Sequence, residues 1–320
     1  MKQVKNILVV FPLNQAGQEK LCGDYPDFIF HFTEAPSREE VQSADIIFGN
    51  PDPELIRGTS NLCWLQLNSA GADRYLEFGL LPEGALLTNA TGAYGLTISE
   101  HLMGMLLMLT KKLHLLRDHQ IRGVWENAGS VKTLMGATVL VLGAGNIGTE
   151  FAKRVRAFGS YVIGIRRTPG EWPKCYDEMH LIADLDNLLP QADVVVMALP
   201  GTPETAHIIN KKRLDLMKDD AVLLNVGRGS AVDMQALCDV LESGKLWGVG
   251  VDVTEPEPLP AGHRLWNFPN VVITPHCAGG FGLNETKEYI VELFRRNLDR
   301  LLKGEQLENI VDFETGYRKR

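Results

Sequence analysis

The sequence predicts a protein of two α/β domains, each built on a doubly wound parallel sheet with helices on both faces. The first observation is length, because 320 residues correspond to two domains at roughly 100–200 residues per domain. The second is that short apolar runs alternate with polar, turn-rich or helical stretches, which is typical of parallel α/β sheets. With 45% hydrophobic and 22% charged residues, the composition is that of an ordinary globular protein and excludes disorder or coiled coil as global descriptions.

Five apolar runs in the first hundred residues predict strands, and SREEVQSA (37–44) predicts a helix between two of them. The strand candidates are ILVVFP (7–12), FIFHF (28–32), DIIFG (45–49), WLQLN (64–68) and ALLTN (85–89). The next stretch, 99–122, predicts one long helix that begins near Ser99. Its apolar residues cover more than one face, so we expect it to pack against another domain or subunit.

Six further apolar runs predict the strands of a second sheet. Their apolar character is continuous rather than alternating, which indicates strands covered on both faces. They are TVLVLG (138–143), YVIGI (161–165), DVVVMALP (193–200), AVLLNVG (221–227), GVGVDV (248–253) and NVVITPH (270–276). The stretch 283–304 predicts a final amphipathic helix.

Charge and cysteine content restrict the class of partner and the compartment. The chain has 40 acidic and 32 basic residues, a net charge of −8, which disfavours nucleic acids and anionic membranes as partners. Its five cysteines contain no CxxC pair, which argues for a reducing compartment, and no cluster has metal-ligand spacing. Because no signal-peptide pattern and no apolar run of ~20 residues is present, we expect a cytoplasmic protein without a membrane span.

A glycine-rich loop, GAGNIG (143–148), directly follows a predicted strand and opens a predicted helix. This is the strand–turn–helix context of a dinucleotide site, where glycines permit a tight turn, close backbone approach to a pyrophosphate and close helix packing. The N-terminus of the helix then offers N–H groups to the phosphates. The loop predicts a Rossmann-like domain in which the cofactor contacts Gly143, Gly145, Asn146, Ile147 and Gly148.

Two arginines stand where a site specific for NAD would carry an acidic residue, about 20 residues beyond the glycine loop. Arg166 and Arg167 end the next strand. One hydrogen bond to a charged group is worth ~1.5–3 kcal/mol, so one arginine contact to a 2′-phosphate would favour NADP by roughly ten- to hundredfold. We therefore expect a preference for NADP(H), with NAD(H) possible; the alternative is that both are solvated surface charges.

Three polar residues follow later strands of the second sheet. Arg228 follows AVLLNVG, Glu257 follows GVGVDVTEP, and His276 closes VVITP. Open α/β sheets bind their ligands at the carboxyl ends of the strands. A buried carboxylate beside a histidine makes an acid–base pair, and an arginine can hold a carboxylate at two points. The three residues therefore predict a catalytic site.

With these motifs the chain resembles the D-isomer specific 2-hydroxyacid dehydrogenase family, in particular NADP-dependent glyoxylate/hydroxypyruvate reductases. The motifs that match in family order are LPGTPETAHIIN (199–210), NVGRGSAVD (225–233), GVGVDVTEPEPLP (248–260) and NFPNVVITPH (267–276). The resemblance implies that Arg228 binds the carboxylate and carbonyl of a small 2-oxo acid. Glyoxylate and hydroxypyruvate are the substrates that we expect ahead of other 2-oxo acids. It implies that His276, paired with Glu257, gives a proton to the carbonyl oxygen during reduction to the D-2-hydroxy acid.

The resemblance also implies the other binding residues. Backbone amides around Ala70 and Gly71 would bind the substrate carboxylate, and Asp252 would meet the cofactor's carboxamide. The remaining cofactor contacts would come from Thr97, Leu199, Pro200, Thr205, Val226, Gly227 and His276. We interpret His101 and His207 as structural.

The domain organisation implied by the resemblance is discontinuous. Residues 1–98, completed by 285–320, would form the substrate-binding domain, and 99–284 the NAD(P)-binding Rossmann domain, with substrate in the cleft between them. The family also implies a homodimer. Two alternatives remain open: a phosphoglycerate-type dehydrogenase, and a nucleotide-sensing, corepressor-like interaction protein.

Overall fold

The computed structural model describes residues 5–313. The first four residues and the predicted tail from 314 lie outside the described residues. Two compact units divide the chain: unit 1 comprises Met1–Ala93 with Asn284–Arg320, and unit 2 comprises Tyr94–Leu283. The boundaries that the family resemblance implies lie after residues 98 and 284.

Unit 1 holds a parallel sheet of five strands in the order β2-β1-β3-β4-β5. The strands are β1 (Asn6–Val9), β2 (Ile29–Phe32), β3 (Ile46–Phe48), β4 (Trp64–Gln66) and β5 (Leu86–Thr88). The helices between them are α1 (Gln15–Asp24), α2 (Arg38–Ser43) and α3 (Pro53–Ile56). The predicted helix α2 begins at a capping box, in which Ser37 and Glu40 bind each other's backbone N–H.

Unit 2 holds a parallel sheet of seven strands in the order β12-β11-β10-β9-β6-β7-β8. The strands are β6 (Thr138–Leu142), β7 (Tyr161–Arg166), β8 (Glu178–Leu181), β9 (Val194–Met197), β10 (Val222–Asn225), β11 (Gly248–Val251) and β12 (Val271–Ile273). The α-helices are α4 (Gly95–Thr110), α5 (Leu113–Ile121), α6 (Asn146–Ala157), α7 (Leu185–Leu188), α8 (Lys211–Leu216) and α9 (Met234–Glu242). The predicted α/β class with two parallel sheets is confirmed, and the strand order reverses between β6 and β9, the place where such sheets bind ligands.

The long helix predicted over 99–122 is wrong in one respect, because the structure has two helices separated at Lys111 and Lys112. Lys112 adopts a left-handed φ of 56°, which ends α4. Most residues of α4 face the interior, whereas within the described chain α5 has no buried residue. The ammonium group of Lys111 donates to the carbonyl of Lys132, and that of Lys112 donates to the carbonyl of Ala128.

The start of α4 and the strand β8 also differ from the prediction. Ser99 is not at the start of the helix: α4 begins at Gly95, and Ser99 is buried within it, with its hydroxyl donating to the carbonyl of Leu96. The edge strand β8 was not predicted, because its residues are all partly exposed and lack a continuous apolar run. It pairs in parallel with β7, and the hydroxyl of Tyr161 on β7 also donates to Glu178 Oε1 on β8 over 2.7 Å.

The last helix, α10 (Asn284–Lys303), docks on the sheet of unit 1. The ring of Phe294 stacks on that of Phe48 with 4.3 Å between centroids, an arrangement worth ~0.5–1.5 kcal/mol beyond burial. Asn297, fully buried, donates from Nδ2 to Gln66 Oε1 over 3.0 Å. An apolar stack and a satisfied buried amide therefore define where the helix packs.

An ion pair holds the segment after α10, and we expect it to make stability depend on pH. Arg296 donates two hydrogen bonds to Glu308, and these hold the pKa of that carboxyl below its usual value. A carboxyl with a lowered pKa in the folded state stabilises above its unfolded pKa and loses that contribution as the pH falls through the folded value. Glu308→Gln should therefore lower Tm at neutral pH, and the difference should vanish in acid.

Thermal unfolding followed by circular dichroism between neutral and strongly acid pH tests this expectation. Glu83→Gln, at an exposed glutamate of the same unit, is the control and should not change Tm measurably. A Tm difference for Glu308→Gln that stays constant across the pH range would contradict the role of the ion pair.

Three further findings concern the described residues as a whole. In residues 5–313, no helix combines the length and the apolar character needed to cross a membrane. In the same part of the chain, no group of three or more His, Cys, Asp or Glu residues is arranged to hold a metal ion. The five cysteines are free thiols.

Candidate active site

The glycine-rich loop joins β6 to α6 at the carboxyl edge of the sheet in unit 2. Gly143 has a φ of 98°, and a Cβ there would lie 2.6 Å from the carbonyl oxygen of Ala198. A Cβ on Gly148 would overlap the carbonyl oxygen of Gly143, so only glycine allows the helix to approach the strand this closely. Helix α6 starts at Asn146 after Gly145, and in the described structure no side chain caps it. Its terminal N–H groups fit the pyrophosphate of a dinucleotide.

The start of α4 lies beside the start of α6. A Cβ on Gly95 would overlap the amide oxygen of Asn146, so the two helix termini meet closely there. Thr97, in the first turn of α4, donates from Oγ1 to the carbonyl of Ala278 over 3.2 Å. Thr97, a predicted cofactor contact, is thus bonded to the loop after β12.

The two arginines end β7 at the same edge. Arg166 donates from Nη1 to the carbonyl of Glu171 over 2.8 Å and from Nη2 to that of Gly170. Its Nε and the hydroxyl of Thr168 are buried and have no hydrogen-bond partner among the described residues. An unpaired buried polar group costs ~1–3 kcal/mol, so this loop fits an acceptor-rich anionic group such as a phosphate. Thr168 was not predicted as a site residue, although its place after the arginine pair could have indicated it.

The predicted groove residues follow β9 and β10. Thr205 is buried and donates from its hydroxyl to the carbonyl of Pro200 over 2.7 Å, so it shapes the turn after Leu199. A Cβ on Gly227 would overlap the carbonyl oxygen of Leu199, so the two loops touch. Val226 lies between this glycine and the end of β10 and is buried. With the glycine loop and the arginine loop, these segments fit a dinucleotide across the edge of the sheet.

Arg228 is presented by a loop that a buried asparagine braces. Asn225, 1% exposed at the end of β10, accepts from the N–H of Gly227 and donates to the carbonyl of Arg228 over 2.9 Å. Arg228 itself donates from Nη1 to the carbonyl of Gly227. A Cβ on Gly229 would overlap the carbonyl oxygen of Thr254, so this loop contacts the loop after β11 that leads to Glu257. Asn225 was not predicted as a site residue, although a polar residue at the end of a buried strand was the available signal.

His276 and Glu257 form a hydrogen-bonded pair, with Nδ1 of the histidine 3.0 Å from Oε2 of the glutamate. The expectation of a buried carboxylate is wrong, because the side chains are 50% and 42% exposed. Glu257 lies in a loop that runs over the surface of unit 2 rather than on a strand. Since a carboxylate only accepts, Nδ1 carries a proton and Nε2 is the atom that can exchange a proton with a ligand.

Asp252, predicted to meet the cofactor, is buried at the end of β11, with 2% exposed. Its carboxylate accepts from the N–H groups of Cys277 and Ala278 and from the hydroxyl of Thr274. His101, interpreted as structural, lies with Nε2 3.1 Å from the same hydroxyl. The structure thus brings Asp252 and His101 together around the turn that carries His276, a grouping that the sequence analysis did not predict.

The predicted substrate-binding amides lie in unit 1, in the loop after β4. The carbonyl of Ala70 accepts from Asn89 Nδ2 over 2.8 Å, and that of Gly71 accepts from the hydroxyl of Ser69 over 2.6 Å. The N–H of Asn68 donates to Asn50 Oδ1. The loop is therefore braced from the neighbouring loops after β3 and β5.

Comparison with known proteins assigns the class. Residues 103–278 match the family model described as D-isomer specific 2-hydroxyacid dehydrogenase, NAD binding domain. The match covers more than half of the chain, and the protein belongs to this family of NAD(P)-dependent oxidoreductases. The family predicted from the motifs is thus confirmed, and so is a nicotinamide cofactor.

Named relatives include reductases of small 2-oxo acids. A glyoxylate reductase from Thermofilum pendens is 32% identical over 298 residues, which cover 87% of this chain and 86% of that protein. The crystal structure of a D-isomer specific 2-hydroxyacid dehydrogenase family protein from Aeromonas salmonicida is similar with a TM-score of 0.86 at 32% identity, covering 97% of this chain and 99% of that one. An NADPH-dependent glyoxylate/hydroxypyruvate reductase from Sinorhizobium meliloti, solved with NADP and sulfate, has a TM-score of 0.83 at 25% identity, covering 98% and 100%.

Proposed function

We propose that the protein reduces a small 2-oxo acid, glyoxylate or hydroxypyruvate, to the D-2-hydroxy acid with NADPH. The observation that carries this proposal is the hydrogen bond between His276 and Glu257, on the sheet edge that also presents Arg228. The names of the relatives from Thermofilum pendens and Sinorhizobium meliloti support the substrate class.

The chain's own residues divide the work. Glu257 accepts from Nδ1–H of His276 and so orients the imidazole, and Nε2–H can then give its proton to the carbonyl oxygen of the substrate. Arg228 binds the carboxylate and polarises the carbonyl. In unit 1, the N–H groups around Ala70 and Gly71 bind the carboxylate. When bound, NADPH supplies the hydride that completes the two-electron reduction.

The cofactor is held by the glycine loop of residues 143–148 and by Arg166 and Arg167. The remaining contacts are assigned to Thr97, Leu199, Pro200, Thr205, Val226, Gly227, Asp252 and His276. The preference for NADPH rests on Arg166, because its Nε and the hydroxyl of Thr168, two residues further along the chain, are both buried without a hydrogen-bond partner among the described residues. A 2′-phosphate carries three acceptor oxygens and a negative charge, so it would satisfy both groups with charge-assisted hydrogen bonds, whereas a ribose hydroxyl is a neutral and weaker acceptor.

Initial rates test the function and the cofactor together. Wild-type protein should be assayed with glyoxylate, hydroxypyruvate, pyruvate and phosphohydroxypyruvate, each with NADPH and with NADH. We expect reduction of glyoxylate or hydroxypyruvate with NADPH as the better cofactor. Activity only with phosphohydroxypyruvate would favour a phosphoglycerate-type dehydrogenase. No activity with any of the four would favour a nucleotide sensor.

Arg166→Gln should lower the ratio of kcat/KM for NADPH to that for NADH by roughly ten- to hundredfold, the value of one hydrogen bond to a phosphate. Steady-state kinetics with each cofactor at saturating 2-oxo acid measures this ratio. Arg264→Gln is the control, because Arg264 pairs with Asp239 and Glu242. An unchanged ratio in Arg166→Gln would refute the assignment of Arg166 to the 2′-phosphate.

Self-association is proposed for the surface of α5 and the segment after it. Trp125 is fully exposed there, and neighbouring apolar side chains are also exposed. These neighbours are Leu113, Leu116, Ile121, Val124, Val131 and Met135. Large exposed apolar surfaces mark protein interfaces, and buried tryptophans dominate binding energy in them. A second copy of this chain is the partner that we propose, in a homodimer.

Trp125→Ala should shift the protein from dimer to monomer at micromolar concentration in sedimentation-velocity experiments. Phe78→Ala, which removes an equally exposed aromatic ring from unit 1, is the matched control and should remain dimeric. A monomeric wild-type protein, or a Trp125→Ala variant that stays dimeric, would contradict this surface.

The proposed location is the cytoplasm. The five free thiols agree with a reducing compartment. The cofactor also supports this location, because NADPH is a metabolite of the cell interior.

A further inference from the structure

We propose that Asp252 is a positioning residue that holds the turn carrying His276, and that the hydroxyl of Thr274 holds Asp252 in turn. This inference rests on the proposed function, in which His276 is the proton donor. It gives Asp252 a role in addition to the cofactor contact that the family resemblance implies.

The turn needs such support because its backbone is strained. His276 has a φ of 50°, in the left-handed region, where a residue other than glycine costs of order 1–3 kcal/mol and persists only when its surroundings hold it. The imidazole direction depends on this backbone conformation. If the turn relaxed to negative φ, Nδ1 would no longer face Glu257.

Asp252 binds the N–H groups of three consecutive residues in the turn. Its carbonyl oxygen accepts from the N–H of His276 over 2.8 Å. Its carboxylate accepts from Cys277 N–H at Oδ1 over 3.0 Å and from Ala278 N–H at Oδ2 over 3.1 Å. Bonds to a charged acceptor are roughly twice as strong as neutral ones, so this buried side chain fixes both peptide groups after the histidine.

The carboxylate of Asp252 is linked to α4 through the hydroxyl of Thr274. Thr274 donates its only hydroxyl proton to Asp252 Oδ1 over 2.5 Å, so the same hydroxyl oxygen accepts from His101 Nε2–H over 3.1 Å. On the other side of the turn, Thr97 donates to the carbonyl of Ala278. The buried helix α4 therefore contacts the turn before and after His276.

A role restricted to cofactor binding makes a different prediction. An aspartate that only met the carboxamide would affect the Kd of NADPH, and loss of the Thr274 hydroxyl would leave kcat unchanged. A positioning aspartate affects kcat through the orientation of His276, and Thr274 shares the effect. The two roles therefore separate in the split between kcat and cofactor affinity.

The experiment compares Asp252→Asn, Thr274→Val and Thr274→Ser with wild type. Asparagine keeps one acceptor oxygen and turns an NH₂ group toward the turn, so at least one of the two N–H groups loses its acceptor. We expect kcat to fall about 10²-fold, the effect of a misplaced reacting group. Thr274→Val should lower kcat roughly tenfold, as expected for one lost hydrogen bond to a charge, and Thr274→Ser should restore it. In Thr274→Val, which leaves the Asp252 side chain in place, the Kd of NADPH measured by fluorescence titration should stay near the wild-type value.

Amide hydrogen exchange gives a readout independent of activity. In Asp252→Asn, Cys277 and Ala278 should lose protection, whereas Asp45→Asn should leave them protected and keep kcat. Asp45 is a matched control because its buried carboxylate also accepts two backbone N–H groups, those of Lys5 and Asn6 in unit 1. A merely structural role for Asp252 would lower Tm in both variants without changing kcat.

The failures are distinguishable. Unchanged exchange at residues 277 and 278, or unchanged kcat in Asp252→Asn with normal wild-type reduction, overturns this inference alone. A raised Kd of NADPH with normal kcat in Thr274→Val also overturns it, in favour of cofactor binding only. If the wild-type protein reduces no 2-oxo acid, the proposed function fails and this inference fails with it.

Discussion

Replacement of His276 by alanine is expected to lower kcat by about 10²–10⁴-fold, the usual contribution of a positioned general acid. The reason is geometric: Nδ1 is engaged by Glu257 over 3.0 Å, which leaves Nε2 as the atom that delivers the proton. The Kd of NADPH should change little, because the glycine loop and the arginine loop that hold most of the cofactor are intact. Steady-state kinetics at saturating substrate, with fluorescence titration of NADPH, measures both quantities.

A second histidine of unit 2 provides a matched control for that variant. His207 also has a left-handed φ, 48°, and its Nε2 also lies near a glutamate, 3.5 Å from Glu255. His207→Ala therefore removes the same side chain from a similar backbone conformation and a similar partner. It should keep kcat near the wild-type value. If His276→Ala retained wild-type turnover, the proton donor would be a different group.

Much of the fold follows from patterns that are local in sequence. The eleven predicted strands each carry an apolar run, and the glycine loop is recognisable because two of its glycines, Gly143 and Gly148, leave no room for a Cβ. Strand β8 escaped prediction since an edge strand is held by backbone bonds to β7 and needs no apolar run. The break between α4 and α5 was not predicted for a related reason. The lysines at the break, Lys111 and Lys112, bind the carbonyls of residues 132 and 128, which are distant in the sequence.

The residues of the candidate site also fall into those that local motifs predict and those that only the tertiary structure shows. Arg228, Glu257 and His276 were predictable because each follows a strand within a motif. The exposure of Glu257 was not predictable, since it depends on the path of a loop rather than on residue type. The bracing residues Asn225 and Thr274 carry no motif of their own. Their importance comes from which N–H and carboxylate groups they meet, and only the tertiary structure shows that.

Replacement of Arg228 is expected to lower kcat/KM for the 2-oxo acid by about 10²–10⁴-fold, because two hydrogen bonds to a carboxylate are lost at ~1.5–3 kcal/mol each. Arg228→Gln removes both the positive charge and the planar guanidinium group that can form two parallel hydrogen bonds. Arg228→Lys keeps the charge but cannot form two parallel bonds, so it should recover only part of the loss. The ratio between the two variants separates the electrostatic part of substrate binding from the geometric part.

The structure supplies a control for backbone effects at this position. Arg228 donates to the carbonyl of Gly227, so its replacement also removes one contact within the loop. Arg213, which donates to the carbonyl of Ile208 over 2.8 Å, loses an equivalent contact in Arg213→Lys and should keep kcat/KM. The effect of Arg228→Lys should appear mainly in KM, since uniform binding of the carboxylate is weakened, while Arg228→Gln should also lower kcat because the developing negative charge on the carbonyl oxygen loses its cation. Equal values of kcat/KM in Arg228→Gln and wild type would mean that the substrate carboxylate is bound elsewhere, and the amides around Ala70 and Gly71 would then have to bind it without Arg228.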